Sequence, residues 1–292
     1  MTREHRRSLR RTPESPRRNE RVRATVRLGA ATVRAGAIAM LTAVALMAGT
    51  AAFAQETPSA AELISAAETS VFPERFEARL TLTTREDDDV TSRMELAIAY
   101  RDGAGSYIEV LAPERSRGLR FLQTDDRLWM YNPRAGGDQA IRLSPRAVFQ
   151  GSAFSNRDLT DLGFADDYDV SVRETETIDH PDLGAVESWV LEATARNDQI
   201  SYARILMWIT VNDRILVRSE YYAKSDLLVK QARLERIREL AGRRRPTVMH
   251  MSSAQRGSLA STMEIEALTP RPDLSEQIFT QEYLTRPGEE ER

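Results

Sequence analysis

The sequence predicts a mainly β chain with a few helices, built on one large antiparallel sheet, and three observations carry this expectation. From Phe72 onward, apolar and β-branched segments of about ten residues recur between clusters of turn residues. Short Asp- and Gly-rich links join neighbouring segments, as hairpins require. Only three stretches interrupt this pattern with helical character.

The first of these is Ala60 to Ser70. Ser59 can cap it, and Glu62, three residues on, completes a capping box. Strands then follow from Phe76 to Arg85 and from Val90 to Tyr100 around Asp87-Asp88-Asp89, and from Ser106 to Leu111 after Asp102-Gly103-Ala104-Gly105. Arg120 to Gln123 and Arg127 to Tyr131 flank Asp125-Asp126, and Gln139 to Leu143 follows Gly136-Gly137. The second helical stretch lies within Ala147 to Leu162 and starts near Ser155 or Asn156. Seven further strands are Tyr168 to Thr175, Ala185 to Thr194, Ile205 to Val211, Ile215 to Tyr222, Leu228 to Ile237, Thr247 to Ser252 and Ser261 to Leu268. Arg243-Arg244-Arg245 before Pro246 reads as a solvated hairpin turn, and Asp179-His180-Pro181-Asp182 reads as a turn. The third helical stretch opens at Asp273-Leu274-Ser275-Glu276, where Ile278, Phe279 and Leu284 can face a core. The three helical pieces are candidate lids on the sheet.

The N-terminus predicts export. Eleven Arg lie between Arg3 and Arg34 against Glu4, Glu14 and Glu20, and an uncharged run from Ala35 to Ala54 ends in Ala52-Phe53-Ala54. That order is a signal peptide, with cleavage expected after Ala54 and a single domain over residues 55–292. The strongly apolar part, Ala35 to Gly49, is shorter than the ~20 residues of a spanning helix. Arg6-Arg7 stands too far from the apolar run to act as a twin-arginine signal. Taking the leader's eleven Arg and three Glu from 41 basic and 44 acidic residues leaves 30 against 41, a net charge of −11. An acidic domain without a clustered basic face is a poor partner for nucleic acid.

Cysteine is absent from the chain. Disulfides, thiolate metal sites, a Cys nucleophile and N-terminal lipidation on Cys are all excluded on that ground. The three His are His5, in the leader, with His180 and His250, and they show no metal-ligand spacing. Neither a G-x-S-x-G elbow nor a phosphate-binding or dinucleotide loop is present. Glu114 and Asp87 to Asp89 read as solvated turn charges. The expectation is a protein without catalytic residues, metal or cofactor.

Several strands are apolar on both faces, among them Leu128-Trp129-Met130-Tyr131 and Ile205 through Ile209. A sheet with one wet side does not need this, so one face can meet a helix and the other a concavity, or both can be ordinary core. Aromatic and Met-rich linings also suit adaptable apolar pockets.

The stretch Asp126 to Pro133, then Ile141-Arg142-Leu143-Ser144 and Phe149-Gln150-Gly151-Ser152-Ala153-Phe154-Ser155-Asn156-Arg157-Asp158-Leu159, resembles the signature of the outer-membrane lipoprotein-sorting, LolA-like proteins. The resemblance continues through Tyr221 to Leu228 and ends at Ile278 to Leu284. Ala153 stands where the family usually has Asp, Asn156 where it often has Tyr, and Ser225-Asp226 replaces the usual turn Gly. The resemblance implies an incomplete, curved antiparallel half-barrel covered by helices and enclosing a hydrophobic cavity. It further implies a periplasmic, monomeric carrier of lipoprotein or lipid cargo, handed from an inner-membrane transporter to an outer-membrane acceptor. The alternative it allows is a lipid-sensing or transporter-associated regulatory module. Leu96, Phe121, Trp129, Tyr131, Phe149, Phe154, Leu206 and Trp208 are the expected cavity residues. Arg157 and Asp158 are expected to anchor a lid, as an exposed pair of little energetic weight.

Overall fold

The computed structural model describes residues 58–124, 127–135, 139–160 and 167–286. The proposed leader and the turns at Asp125-Asp126 and Gly136-Gly137 lie outside them. Thirteen strands form one antiparallel sheet. The first six are β1 (Arg75–Glu86), β2 (Asp89–Arg101), β3 (Gly105–Ala112), β4 (Arg120–Thr124), β5 (Arg127–Tyr131) and β6 (Ile141–Leu143). The rest are β7 (Tyr168–His180), β8 (Gly184–Ala195), β9 (Arg204–Thr210), β10 (Leu216–Tyr222), β11 (Leu228–Leu240), β12 (Arg243–Ser253) and β13 (Leu259–Pro270). Helices are α1 (Ala60–Val71), α2 (Asn156–Thr160) and α3 (Gln281–Thr285).

The strand order is β6-β5-β4-β3-β2-β1-β13-β12-β11-β10-β9-β8-β7. Two meanders therefore meet where β1 pairs with β13, and the sheet keeps two edges, β6 and β7, rather than closing. The connection carrying α2 runs from one edge to the other. A barrel in which β6 paired with β7 would have no such opening.

Hairpin chemistry sets the register. Asp87 and Asp88 have φ of 51° and 69°, so both central residues of the β1–β2 turn are left-handed, the arrangement that matches strand twist in a two-residue turn. Gly105 opens β3 at φ 129°, and a Cβ there would lie 2.0 Å from the Gln123 carbonyl oxygen. Only glycine lets β3 approach β4 so closely.

One sequence expectation about a turn is corrected. The β11–β12 turn falls on Ala241 and Gly242, with φ of 52° and 78°, and the three arginines belong to β12. Arg245 is only 2% exposed, because its guanidinium satisfies three backbone carbonyls in the interior. The expected turn around His180 is present, with the His180 carbonyl accepting from the Leu183 amide at 3.3 Å, but β7 runs up to it, five residues beyond the expected Thr175, and the buried His180 Nε2 lies 2.8 Å from the Leu234 carbonyl oxygen.

The pleat sends alternate side chains to opposite faces. Leu80 and Leu82 of β1, Leu96 and Ile98 of β2, Ile108 of β3, Phe121 of β4, Leu191 of β8, Ile205, Met207 and Ile209 of β9, and Met263 of β13 share one apolar cluster with α1. Their neighbours point the other way and form two smaller clusters. Ala99, Tyr107, Leu122 and Tyr131 pack under the C-terminal Leu274, Phe279 and Leu284. Val190, Leu206, Trp208 and Val217 pack together farther along the sheet.

Helix α1 forms where the sequence predicts. Ser59 accepts from the Glu62 amide at 3.2 Å while Glu62 Oε2 accepts from the Ser59 amide at 2.8 Å, completing the capping box. Leu63, Ile64, Ala67, Ser70 and Val71 line one face of the helix and are buried, which is the stripe a 3.6-residue repeat produces. Ser70 Oγ accepts from the Leu216 amide at 3.1 Å and fastens α1 to β10. At its C-terminal end, Arg245 Nη1 donates to the carbonyls of Thr69 and Val71 at 3.0 and 3.2 Å. A buried Arg120 does the same for α3, donating to Leu284 and Arg286 carbonyls. Cations at these ends also suit the helix dipoles.

Candidate functional site

A cavity of about 70 Å³ lies between α1 and the sheet. Ala67, Val71 and Phe72 roof it, and Ile205, Leu216, Met249, Met251 and Met263 form its apolar floor and walls. Thioethers pack loosely and repack readily, so three Met give this wall an adjustable shape. At ~10–15 Å³ for each water centre, the space holds about five water molecules.

One wall is polar. Asp158 of α2 accepts from the Ser155 amide at 2.6 Å and from the Tyr202 hydroxyl at 2.9 Å, and Lys230 of β11 pairs with it. Both charged side chains are less than a tenth exposed. Burial, with the Asp158 carboxylate second, raises the pKa of Tyr202, and the same two causes raise that of Tyr221. Both phenols therefore stay protonated, and Tyr202 serves as a donor to Asp158 throughout the physiological range. Arg157 pairs with Asp167 rather than with its neighbour. The expected weak, exposed anchor is thus corrected: Asp158 is the hub of a buried polar cluster, because Tyr202, just before β9, and Lys230 of β11 close over its carboxylate.

A second pocket, of about 310 Å³, lies on the far side of this wall, and Tyr202 borders both spaces. Among the described residues, no group of three or more His, Asp or Glu could hold a metal ion. No helix among them is long and apolar enough to cross a membrane.

The structure divides the eight expected cavity residues. Leu96, Phe121, Phe149 and Phe154 join the cluster beneath α1 and are almost completely buried, with Phe121 and Phe149 ring centroids 5.0 Å apart. Of these four, Phe154 borders the second pocket, and none borders the cavity under α1. Trp129 and Tyr131 lie on the opposite face against the C-terminal segment. Leu206 and Trp208 also lie on that face, where Trp208 Nε1 donates to Glu176 at 2.7 Å and the Arg218 guanidinium stacks 4.3 Å from the ring. The large side chains of β9 drew the sequence reading to the wrong parity, since one residue along a strand reverses the face. Ile205 is the β9 residue at the cavity. Met249 and Met251 show the period-two alternation that marks them, whereas nothing local couples Lys230 to Asp158 across 72 residues.

An open antiparallel sheet with α1 laid over an apolar cavity defines the class: the fold is LolA-like. The structure superposes on a LolA superfamily protein from Nitrosomonas europaea with a TM-score of 0.70 and 25% identity, covering 78% of this chain and 100% of that one. A DUF1329 family protein from Desulfovibrio piger gives 0.66 at 21% identity, covering 78% and 100%. An outer membrane lipoprotein-sorting protein domain from Vibrio parahaemolyticus gives 0.65 at 19%, covering 78% and 97%. No curated protein matches the chain significantly. A family model described as "Uncharacterized protein" matches residues 102–286, and the chain belongs to that family.

Proposed function

We propose that this chain is a periplasmic carrier that takes the acyl portion of a lipid or lipoprotein into the cavity under α1 and delivers it towards the outer membrane. The single observation behind this reading is a Met-lined apolar cavity whose roof is one short helix rather than part of the sheet. An acyl chain in water is opposed by about 0.8 kcal/mol per methylene, so an aqueous shuttle must enclose it. A long chain is several times larger than the present cavity. Uptake therefore requires α1 to lift and the Met side chains to rearrange, with the core around Leu96, Phe121, Phe149 and Phe154 available for the cavity to widen into. In this reading residues 1–54 are removed on export and residues 55–292 act as one domain. The solved lipoprotein-sorting relative supports the choice of cargo, and the handover partners would be an inner-membrane transporter and an outer-membrane acceptor.

Purification from native envelope followed by lipid mass spectrometry is expected to recover acyl-bearing cargo in stoichiometric amounts. A lipid-free protein that also fails to move a labelled lipid between vesicles would overturn the proposal. Ala67→Phe, which pushes a ring from α1 into the cavity, is expected to weaken binding of a fluorescent fatty acid about tenfold, for an overpacking cost of ~1–3 kcal/mol in stability. Undiminished binding in a variant that still melts cooperatively would place the acyl site elsewhere.

A further inference from the structure

The second pocket is lined, among other residues, by Arg146, Lys230 and Arg256, and by Ser155, Ser201 and Tyr202; among the described residues its lining includes no carboxylate. Arg256 is offset by Glu86 and Lys230 by Asp158. Arg146 differs. Its Nη2 donates to the carbonyls of Asp198 and Ile200 at 2.6 and 3.0 Å, which fixes the guanidinium, and it forms no ion pair among the described residues, the nearby Asp198 carboxylate pairing instead with Lys224. Ser201 supplies an independent sign of a missing ligand: its Oγ is buried and has no hydrogen-bond partner among the described residues. Native proteins rarely leave such an atom unsatisfied.

We infer that this pocket receives the anionic, phosphate-bearing head of the lipid whose chain occupies the cavity under α1, an assignment that rests on the carrier reading above. A tetrahedral phosphate offers several acceptor oxygens at once, matching a fixed guanidinium fork together with the Ser201 hydroxyl. Tyr202 borders both spaces, so head and chain sites adjoin across one wall. The Lys230–Asp158 pair lies in the wall between them and keeps the polar end separate from the apolar one.

The test uses the full mature chain and phosphatidylcholine donor vesicles carrying a trace of either pyrene-labelled phosphatidic acid or pyrene-labelled diacylglycerol with the same chains. Transfer of the phosphatidic acid is expected to be about tenfold faster, the scale of one hydrogen bond to a charged group. In Arg146→Gln and Ser201→Ala that ratio is expected to fall towards one. The ratio is unaffected by a general loss of folded protein, and Ser201→Ala removes only an unsatisfied hydroxyl. Equal rates in the wild type, or a ratio unchanged in both variants, would overturn the head-group assignment and leave the carrier reading standing. Failure to transfer either lipid would overturn the carrier reading and the assignment with it. Glycerol 3-phosphate is expected to compete only weakly; tight displacement by it would overturn the lipid head in favour of a soluble anion.

Discussion

Asp158→Ala is expected to be among the most damaging single substitutions in the chain, lowering stability by about 3–5 kcal/mol, because it leaves the Lys230 ammonium buried without its partner. It also strips the Ser155 amide and the Tyr202 hydroxyl of their acceptor. The asymmetry of the pair is the informative part. Lys230→Met leaves Asp158 with two hydrogen bonds and puts an apolar side chain of similar length into the same space, so its cost is expected to be smaller, about 1–2 kcal/mol. The double variant Asp158→Ala/Lys230→Met is expected to recover at least ~2 kcal/mol relative to the sum of the singles, since it removes the stranded charge. Urea denaturation of the four proteins measures this. Additive losses would show that the two side chains are not energetically coupled and that the wall between the pockets is held by other contacts.

Arg245→Ala is expected to cost about 3–4 kcal/mol and to loosen α1 in particular. Three carbonyls lose a charged donor, at a net worth of about 1–3 kcal/mol for each such bond, and two of them, Thr69 and Val71, are at the C-terminal end of α1. Burial and then neighbouring Arg243 lower the Arg245 pKa to about 10, so the side chain is still charged at neutral pH and pays for its burial through these bonds. Arg245→Lys keeps a charge without the fork and is expected to recover only part of the loss. Hydrogen exchange provides the specific readout. Amides of residues 60–71 should lose protection before those of β1 and β13, which meet at the middle of the sheet. If α1 remains as protected as in the wild type, the helix is held by its apolar face alone, and its release during uptake would not depend on Arg245.

Local patterns made much of the fold legible. The capping box at Ser59 and Glu62, the Asp87-Asp88 turn and the alternation of Met249 and Met251 depend on residues a few positions apart, where steric and hydrogen-bonding preferences act directly. All thirteen strands were therefore visible, with ends differing mostly by a few residues. The basic run at Arg243 to Arg245 misled because charged residues usually avoid interiors. What satisfies Arg245 includes two carbonyls more than 170 residues away, on α1.

The class of fold, the succession of strands along the chain and the positions of the helices were readable in the amino-acid sequence, whereas the pairing of β1 with β13 was not. The sequence also specified, for each strand, which residues share a face, but not which face is covered by α1. Only long-range packing brings Ile205 rather than Leu206 to the cavity, turns Trp208 away, and sets Lys230 behind Asp158 of the cavity wall. The physical reason is range. Periodicity and turns are set by neighbours along the chain, whereas a cavity is assembled from α1, α2, β7, β9, β10, β12 and β13, and depends on how the sheet brings those distant strands around one helix.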